Sequence, residues 1–465
     1  MLLSANVFLL LSSYYVIKSV RDGLILAYSG AEVKTYTAAL QVVVLAAVVP
    51  LYGKLADRLP RRRLINLVTL LFAASFAGFA GAIALGLNNV IAFYVWASVF
   101  GVMIMAQFWS FANDLYSRHD GERLFPLITF GQSLGAVVGA GYVAALTEPF
   151  GIPNLMLGAI VMLVGALLIT NYVDSRERRV KEAGLPVEET TAVKAATRAI
   201  KVAQAQSMLR RFTGEPEPHG DSAPGGPTEQ TDRSGAKVDD AEDEGTSPFS
   251  LVLGTRYLLL IALLIMLLNF VNTTGGYVFD RLLKETAIRL VAEGQAGGLT
   301  ERELTTAYYG AFYQVVNITG LLMQLFLVSR IVKYLGVKVG IMILPLVSLG
   351  AYGLIGFYPL LGYVRWAKTA ENATEYSLNN TVRNMLFLPT TRAQKYKAKQ
   401  VVDSFFQRIG DTLSALLVLI GTTLITLSTT GFAVVNVGAV LIWLALAYRV
   451  GTRYERLVDT GETPR

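Results

Sequence analysis

The polar residues within one otherwise apolar stretch, residues 366–388, are spaced so that they share one face of a helix. At about 100° per residue, six of them fall within an arc of roughly 120°. They are Lys368, Glu371, Asn372, Glu375, Asn379 and Arg383. A charge at the bilayer centre costs roughly 2.5–3.5 kcal/mol, so this face must meet protein or water and not lipid. We interpret the face as one wall of a polar cavity that the rest of the chain builds.

A second group of polar residues lies in the first apolar segment. Its members, which fall within roughly 100° of arc, are Tyr14, Lys18, Arg21 and Asp22. Lys18 and Asp22 are four residues apart, a spacing that allows an ion pair. Two interpretations stay open here: the charges form a buried structural cluster, or Lys18 and Arg21 bind anionic groups from the cavity wall. A guanidinium holds phosphate or carboxylate bidentately, whereas an ammonium acts as a mobile point charge.

Further polar residues interrupt other apolar segments. The seventh segment carries Asn272 shortly before Gly275 and Gly276, which indicates a bend whose freed backbone groups need cavity water. The fourth and eleventh segments carry Asp114 and Asp403 near the ends that we predict to be cytoplasmic. That position favours a gating or latching role for these two carboxylates over contact with a ligand.

The composition is that of a helical membrane protein. Of the 465 residues, 53% are hydrophobic and 16% are charged, whereas soluble proteins average about 25% charged residues. Repeated apolar runs of about 20 residues predict an all-α polytopic protein with twelve transmembrane helices in two six-helix bundles. The net charge of +7 comes from basic residues at helix ends, so it indicates membrane topology and not nucleic-acid binding.

The chemistry available to an enzyme is sparse. The sequence has no cysteine, which excludes disulfides, thiolate catalysis and cysteine-ligated metals. The two histidines, His119 and His219, fall in predicted loops and give little basis for a metal site or a catalytic triad. We therefore expect no cofactor and no metal, and an enzyme is the least expected function.

The apolar segments define the predicted domains. The first six spans lie near residues 3–28, 35–56, 64–86, 90–116, 124–146 and 152–173, and the second six near 251–279, 305–328, 338–357, 360–388, 400–427 and 431–450. The predicted domains are a first bundle at 1–173, a linker at 174–250, a second bundle at 251–450 and a tail at 451–465. The linker begins with a basic helix-prone part that either lies on the membrane surface or is solvated. Its acidic, Pro- and Gly-rich remainder at 213–248 is expected to be disordered.

The basic residues of the short loops predict the orientation. Four loops on one side are rich in Lys and Arg, while the short loops on the other side hold only Lys34. The basic side is expected to face the cytoplasm. Both termini and the linker are then cytoplasmic.

The loop after the second span resembles a signature of the major facilitator superfamily. It reads GKLADRLPRRR from Gly53, and the equivalent loop of the second half reads SRIVKYLGVK from Ser329. Two parallel halves related by an axis along the membrane normal match the layout of that superfamily. The residues that carry the motif are Gly53, Asp57, Arg58 and Arg61, while Pro60 replaces the usual Gly. We interpret these charges as latching helix ends and not as contacting substrate.

Three longer stretches resemble the ATP/ADP translocase family of bacteria and plastids. They are YYVIKSVRDGLILAYSGAEVKTY from Tyr14, FWSFANDLYSRHDGERLFPLITFG from Phe108, and YSLNNTVRNMLFLPTTRAQKYKAKQVVDSFFQRIG from Tyr376. The resemblance implies nucleotide exchange and makes Lys18, Arg21 and Arg383 the best candidates for binding phosphates. It has two departures: Asn272 stands where the family commonly has Glu, and Arg383-Asn384 stands where it has a Lys-Glu pair.

These observations predict a monomeric secondary transporter of the bacterial inner membrane that exchanges nucleotides or a related phosphorylated anion. One alternative is a proton-coupled carrier of another solute that uses Glu371 and Glu375, since buried carboxylates hold protons readily. A non-transporting scaffold is a further alternative. The candidate substrate-binding residues are Tyr14, Lys18, Arg21, Asn272, Lys368, Asn372, Asn379 and Arg383. The candidate coupling or gating residues are Asp22, Asp114, Glu371, Glu375, Asp403 and Asp411.

Overall fold

The computed structural model describes residues 1–115, 118–182, 248–391 and 394–464. Within these ranges the secondary structure is helical, and no strand occurs in them. Most of the predicted linker, residues 183–247, lies outside the described residues. The predictions of a basic surface helix and a disordered segment fall there. The burial of Gly53 and the side chains of Asp57 and Asp114 also lie outside the description.

Thirteen α-helices make up the described chain, and three π-helical turns interrupt its later part. Before the linker come α1 (Leu2–Arg58), α2 (Arg61–Ala84), α3 (Val90–Leu115) and α4 (Arg118–Glu182). After it come α5 (Pro248–Gly254), α6 (Arg256–Ala292), α7 (Glu301–Phe326), α8 (Val328–Phe357), α9 (Leu361–Thr374), α10 (Asn380–Met385), α11 (Lys399–Val401), α12 (Gln407–Thr423) and α13 (Thr429–Thr460). The π-helical turns are Glu375–Asn379, Gln394–Ala398 and Val402–Phe406.

Two of the long helices each hold a pair of predicted spans. Helix α1 changes direction at Gly30, whose φ of +90° suits a residue without a Cβ. Helix α4 does the same at Gly151, where φ is +70°. These bends separate the first span from the second and the fifth from the sixth. Most residues of each of the twelve predicted spans fall on helix.

Seven helices in the described ranges are long and apolar enough to cross a membrane, judged by length and composition. They lie at Leu2–Ala38, Arg61–Ala84, Val90–Ala112, Leu124–Arg179, Arg256–Ala292, Val328–Phe357 and Thr429–Thr460. Many large apolar side chains on them are exposed, including Leu70, Val161 and Ile442. Exposed apolar surface of this kind is what lipid-facing helices need. The prediction of an all-helical, multi-pass membrane protein is confirmed.

The described helices of the two halves belong to one compact unit, which contains Met1–Ile169 and the described residues from 248 onward. The end of α4, from Thr170, belongs to a second unit whose remaining residues lie outside the description. Within the first unit, the core of the second half is built on α6, α8 and α13, where Tyr257, Tyr352 and Trp443 are fully buried. The predicted domain limits themselves stay a prediction.

Candidate functional site

The two halves of the chain are joined by a buried ion pair between α1 and α6. The ammonium of Lys34 lies 3.0 Å from one carboxylate oxygen of Asp280. It also donates a hydrogen bond of 2.7 Å to the hydroxyl of Tyr309 on α7, and that hydroxyl donates to Asp280. We call this level of the molecule the Lys34 end. Because each charged group here has a partner from the other half, the halves are held together at this end.

Four further hydrogen bonds join the halves at the Lys34 end. They run from Tyr277 to Glu32 at 2.9 Å, from Arg302 to Tyr28 at 3.0 Å, from Lys284 to the carbonyl of Ala27 at 3.3 Å, and from Thr305 to the carbonyl of Gly23 at 3.1 Å. Sequence reasoning missed this set of contacts. The one available signal was Lys34 itself, the single basic residue in the short loops of its side.

Arg21 and Asp22 form an ion pair within the first half. A guanidinium nitrogen of Arg21 lies 2.9 Å from Asp22 Oδ1, and another donates to Ser98 at 2.8 Å. The guanidinium also lies over the ring of Tyr94, 4.6 Å from its centroid. The second oxygen of Asp22 accepts a hydrogen bond of 2.6 Å from Tyr313 of the other half. The charge of Arg21 is therefore already matched by a carboxylate.

Lys18 lies close to this cluster without joining it. Its ammonium is over the ring of Tyr313, 4.1 Å from the centroid, and 5.2 Å from the ring centroid of Tyr15. The i, i+4 pair with Asp22 that the spacing allowed is absent from the ion pairs of the described residues. Lys18 is thus a cation held by two aromatic faces and by no carboxylate in the described part of the chain.

Lys18 lines a cavity of about 510 Å³ between the halves. The polar residues that share this cavity are Tyr14, Tyr15, Thr129, Gln132, Ser133, Asn317, Gln324, Tyr376, Asn380 and Thr381. Among the described residues that line it, Lys18 is the only one with a charged side chain. One cation among amides, hydroxyls and aromatic rings is an environment suited to an anion with an aromatic part.

Lys368 and Glu371 form a buried ion pair of 2.5 Å. The ammonium of Lys368 also donates to the Oδ1 atom of Asn272 at 2.7 Å, and the amide of Asn272 donates to Glu375 at 2.8 Å. The structure therefore links these four predicted residues into one chain of contacts. Glu371 is thus paired with a cation, whereas Glu375 has no ion pair among the described residues and accepts its hydrogen bond from the uncharged Asn272 amide.

The π-helical turn at Glu375–Asn379 divides the predicted polar face. Residues before it, including Lys368 and Asn372, line a smaller cavity of about 190 Å³ at the Lys34 end. Residue Asn379 is 2% exposed and lines neither cavity, while Asn380 after it lines the larger one. A π turn adds one residue and so rotates the rest of the helix by roughly 100°. Tyr376 lies in the turn and lines both cavities.

The remaining candidates lie elsewhere. Arg383 lines neither cavity; its Nε is 3.9 Å from Asp403, which is also 2.7 Å from Lys399. Asp411 accepts a hydrogen bond of 2.7 Å from Thr273 and lies 3.3 Å from Arg408.

In the motif loop Arg58 is exposed, and Arg61 lies over the ring of Phe111 at 4.9 Å. The described residues contain no group of three acidic or histidine side chains that could hold a metal ion.

Comparisons with known proteins agree with this architecture. The family model described as Major Facilitator Superfamily matches residues 2–370. Two curated relatives are 22% identical to this chain: ADP,ATP carrier protein 2 of Chlamydia trachomatis serovar D, over 86% of this chain and 77% of the relative, and ADP,ATP carrier protein 1 of Chlamydia pneumoniae, over 94% and 88%. The resemblance to ATP/ADP translocases is confirmed.

The fold is also found among solved structures. A crystal structure of a POT family transporter in complex with 5-aminolevulinic acid superposes with a TM-score of 0.59 and covers 96% of each chain. The sequence identity is 14%, so this likeness concerns the fold alone.

Proposed function

Because the chain belongs to the major facilitator superfamily of membrane transporters, we propose that it exchanges nucleotides, or a related phosphorylated anion, by alternating access. In this mechanism the two halves rock about a central site, and no covalent chemistry is needed. The names of the two Chlamydia relatives, which are ADP,ATP carriers, support the nucleotide as substrate.

One observation carries the proposal: among the described residues, Lys18 is the only charged one that lines the larger cavity, and aromatic rings contact it where a carboxylate would be expected. An ammonium away from bulk water is costly unless it is paired. An anion that enters the cavity would supply the missing partner. The volume of about 510 Å³ lies within the usual range of roughly 300–1,000 Å³ for small-molecule sites.

The rest of the cavity suits the remainder of a nucleotide. Tyr14, Tyr15 and Tyr376 offer aromatic faces, and amides such as Gln132 and Asn317 can pair with the edge of a base or with a ribose. In this assignment Lys18 binds phosphate, while Arg21 holds Asp22 in place. Arg383 and Lys399 share one carboxylate, so their excess positive charge would draw anions toward the cavity.

Because the Lys34 end is closed, we propose that the cavity is accessible from the opposite end of the molecule. By the distribution of basic loops, the Lys34 end faces away from the cytoplasm, so the cavity would load from the cytoplasmic side. We further propose a monomer in a bacterial inner membrane, with both termini and the linker in the cytoplasm.

A second candidate function is a proton-coupled carrier. Its support is Glu375, a carboxylate that receives a hydrogen bond from the neutral Asn272 amide at 2.8 Å and has no ion pair among the described residues. A carboxylate at such a position can bind and release a proton during transport. If this function holds, an imposed pH gradient drives uptake and Glu375→Gln abolishes that dependence.

Purified protein in liposomes tests the proposal. Uptake of labelled ATP or ADP should require nucleotide inside the liposomes. Lys18→Gln should raise the half-saturating concentration roughly ten- to hundredfold, since hydrogen bonds to charged groups contribute about 1.5–3 kcal/mol. The exposed Lys333→Gln is the matched control and should behave as wild type. Normal exchange by Lys18→Gln would remove Lys18 from the site.

A further inference from the structure

Tyr313 touches the first half of the chain at two points one helical turn apart. Its hydroxyl donates to Asp22 at 2.6 Å, and its ring faces the ammonium of Lys18 at 4.1 Å. Both partners lie on α1, whereas Tyr313 lies on α7 and is 8% exposed. One rigid side chain therefore contacts both the cation of the larger cavity and the carboxylate behind it.

Tyr309, one turn earlier on α7, repeats this arrangement at the Lys34 end. Its hydroxyl donates to Asp280, and the ammonium of Lys34 lies 4.4 Å from its ring centroid. The carboxylate that accepts from the tyrosine lies on α1 of the first half at Tyr313, but on α6 of the second half at Tyr309. The two sites also differ in the partner of the lysine. Lys34 has the carboxylate of Asp280 at 3.0 Å, whereas Lys18 has no carboxylate within the described residues.

The two tyrosine rings also contact each other. Their centroids are 5.8 Å apart and the rings are stacked at 24°. A continuous line of contacts thus runs from Lys18 in the larger cavity, through Tyr313 and Tyr309, to the ion pair that closes the Lys34 end.

We propose that Tyr313 is a positioning residue that makes opening of the Lys34 end depend on an anion bound at Lys18. This inference rests on the proposed anion binding at Lys18. The contact between Lys18 and Tyr313 would keep the empty carrier closed and allow the loaded carrier to open.

Opening of the Lys34 end changes the contact between Lys18 and the ring of Tyr313. Opening the Lys34 end separates α1 from α7, so Lys18 leaves the ring of Tyr313. In the empty carrier its ammonium would then have lost an aromatic face without gaining a partner, which is unfavourable away from bulk water. With an anion bound, Lys18 keeps a stronger partner throughout the movement. Opening therefore costs less in the loaded carrier, and the result is exchange without net release.

Two substitutions separate the ring from the hydroxyl. Tyr313→Leu removes the aromatic face, so the empty carrier no longer loses that contact on opening. We expect this variant to release preloaded ATP into nucleotide-free buffer, at a rate several-fold above wild type. Tyr313→Phe keeps the face and should still require external nucleotide. Tyr308→Leu removes a tyrosine ring from the same helix outside both cavities and serves as the matched control.

A second readout does not depend on transport. The side chains of Tyr28 and Arg302 meet at 3.0 Å across the halves. Because the chain has no cysteine, the double variant Tyr28→Cys with Arg302→Cys carries only the two cysteines to be cross-linked. ATP should lower the yield of cross-linking by a short bismaleimide in the otherwise native protein and in Tyr313→Phe. In Tyr313→Leu the yield should be low with or without ATP.

The outcomes distinguish this inference from the function on which it rests. If the native chain exchanges nucleotides but Tyr313→Leu remains strictly exchange-dependent, or keeps ATP-dependent cross-linking, Tyr313 has no coupling role. If the native chain shows no exchange and no effect of ATP on cross-linking, the proposed function itself fails.

Discussion

The ammonium of Lys368 lies 2.5 Å from a carboxylate oxygen of Glu371, one turn further along the chain, and both side chains are almost fully buried. The carboxylate also accepts hydrogen bonds from Ser348 at 2.8 Å and from Tyr352 at 3.0 Å. With its lone pairs occupied in this way, Glu371 is held by the helices of the second half. The geometry favours a structural role for this pair. Glu375 is more exposed to solvent than Glu371 and has no ion pair among the described residues.

The buried pair gives a prediction about stability. Removing one partner leaves an uncompensated buried charge, which costs about 3–5 kcal/mol. We expect Lys368→Met and Glu371→Leu each to lower the free energy of unfolding by about this amount. The double variant should lose clearly less than the sum. Denaturant unfolding of the four proteins in detergent measures the coupling energy, and strict additivity would show that the pair contributes nothing.

The ion pair at the Lys34 end gives a prediction about conformation. Lys34→Ala leaves Asp280 without its cation, so the closed state should lose stability relative to the open one. A single reporter, Ala38→Cys, lies in the smaller cavity. We expect a membrane-impermeant maleimide to label it several-fold faster in Lys34→Ala, and the charge swap Lys34→Asp with Asp280→Lys to slow labelling again.

The control for this measurement is Glu285→Ala on the same helix as Asp280. Glu285 pairs with Arg281 at 3.1 Å within one helical turn, and such exposed pairs contribute roughly 0–1 kcal/mol. Its labelling rate should match that of the native chain. Equal labelling in Lys34→Ala and Glu285→Ala would mean that the Lys34 pair does not hold the end closed.

The membrane-spanning helices and the superfamily were predictable because apolar runs of about 20 residues and a basic loop motif are local features of the sequence. The polar face of 366–388 was predicted less well, since a helical wheel assumes uniform α-helical spacing. The π turn breaks that spacing, so Tyr376 and Asn380 line the larger cavity in place of Asn379.

Contacts between the halves could not be predicted from spacing at all. Asp22 lies four residues from Lys18, yet it binds Arg21 and Tyr313, the latter nearly three hundred residues away. The pairing of Lys34 with Asp280 likewise depends on how α1 packs against α6. Sequence periodicity predicts which residues share a face of one helix, but it does not predict which other helix packs against that face.

Arg21 gives a prediction that separates structure from binding. Its charge is matched by Asp22 at 2.9 Å, and it donates to Ser98 at 2.8 Å. We expect Arg21→Gln to lower the melting temperature of the purified protein, because Asp22 loses its cation. The half-saturating nucleotide concentration should rise less than in Lys18→Gln.

Arg21→Lys is the conservative control for that experiment. Lysine keeps the charge but lacks the planar fork that contacts both Asp22 and Ser98, so it should recover part of the lost thermal stability. The opposite pattern, a native melting temperature together with a half-saturating concentration raised as much as in Lys18→Gln, would place Arg21 in the substrate site.

The close approach of α1 and α7 beside Gly23 gives a prediction about helix packing. A Cβ added to Gly23 would come within 2.6 Å of the Cα and 2.7 Å of the backbone nitrogen of Thr306. Real Cβ atoms essentially never make contacts this short, so Gly23→Ala must push the two halves apart at the Lys34 end. We expect the Ala38→Cys reporter to be labelled faster in this variant. Because the clash involves backbone atoms, adding Thr306→Ala should not restore slow labelling. Gly78→Ala is the control, because a Cβ there meets no atom within 4 Å, and its Ala38→Cys reporter should be labelled at the native rate. If Thr306→Ala restored slow labelling in Gly23→Ala, a side-chain clash, and not the close approach of the helices, would control the closure.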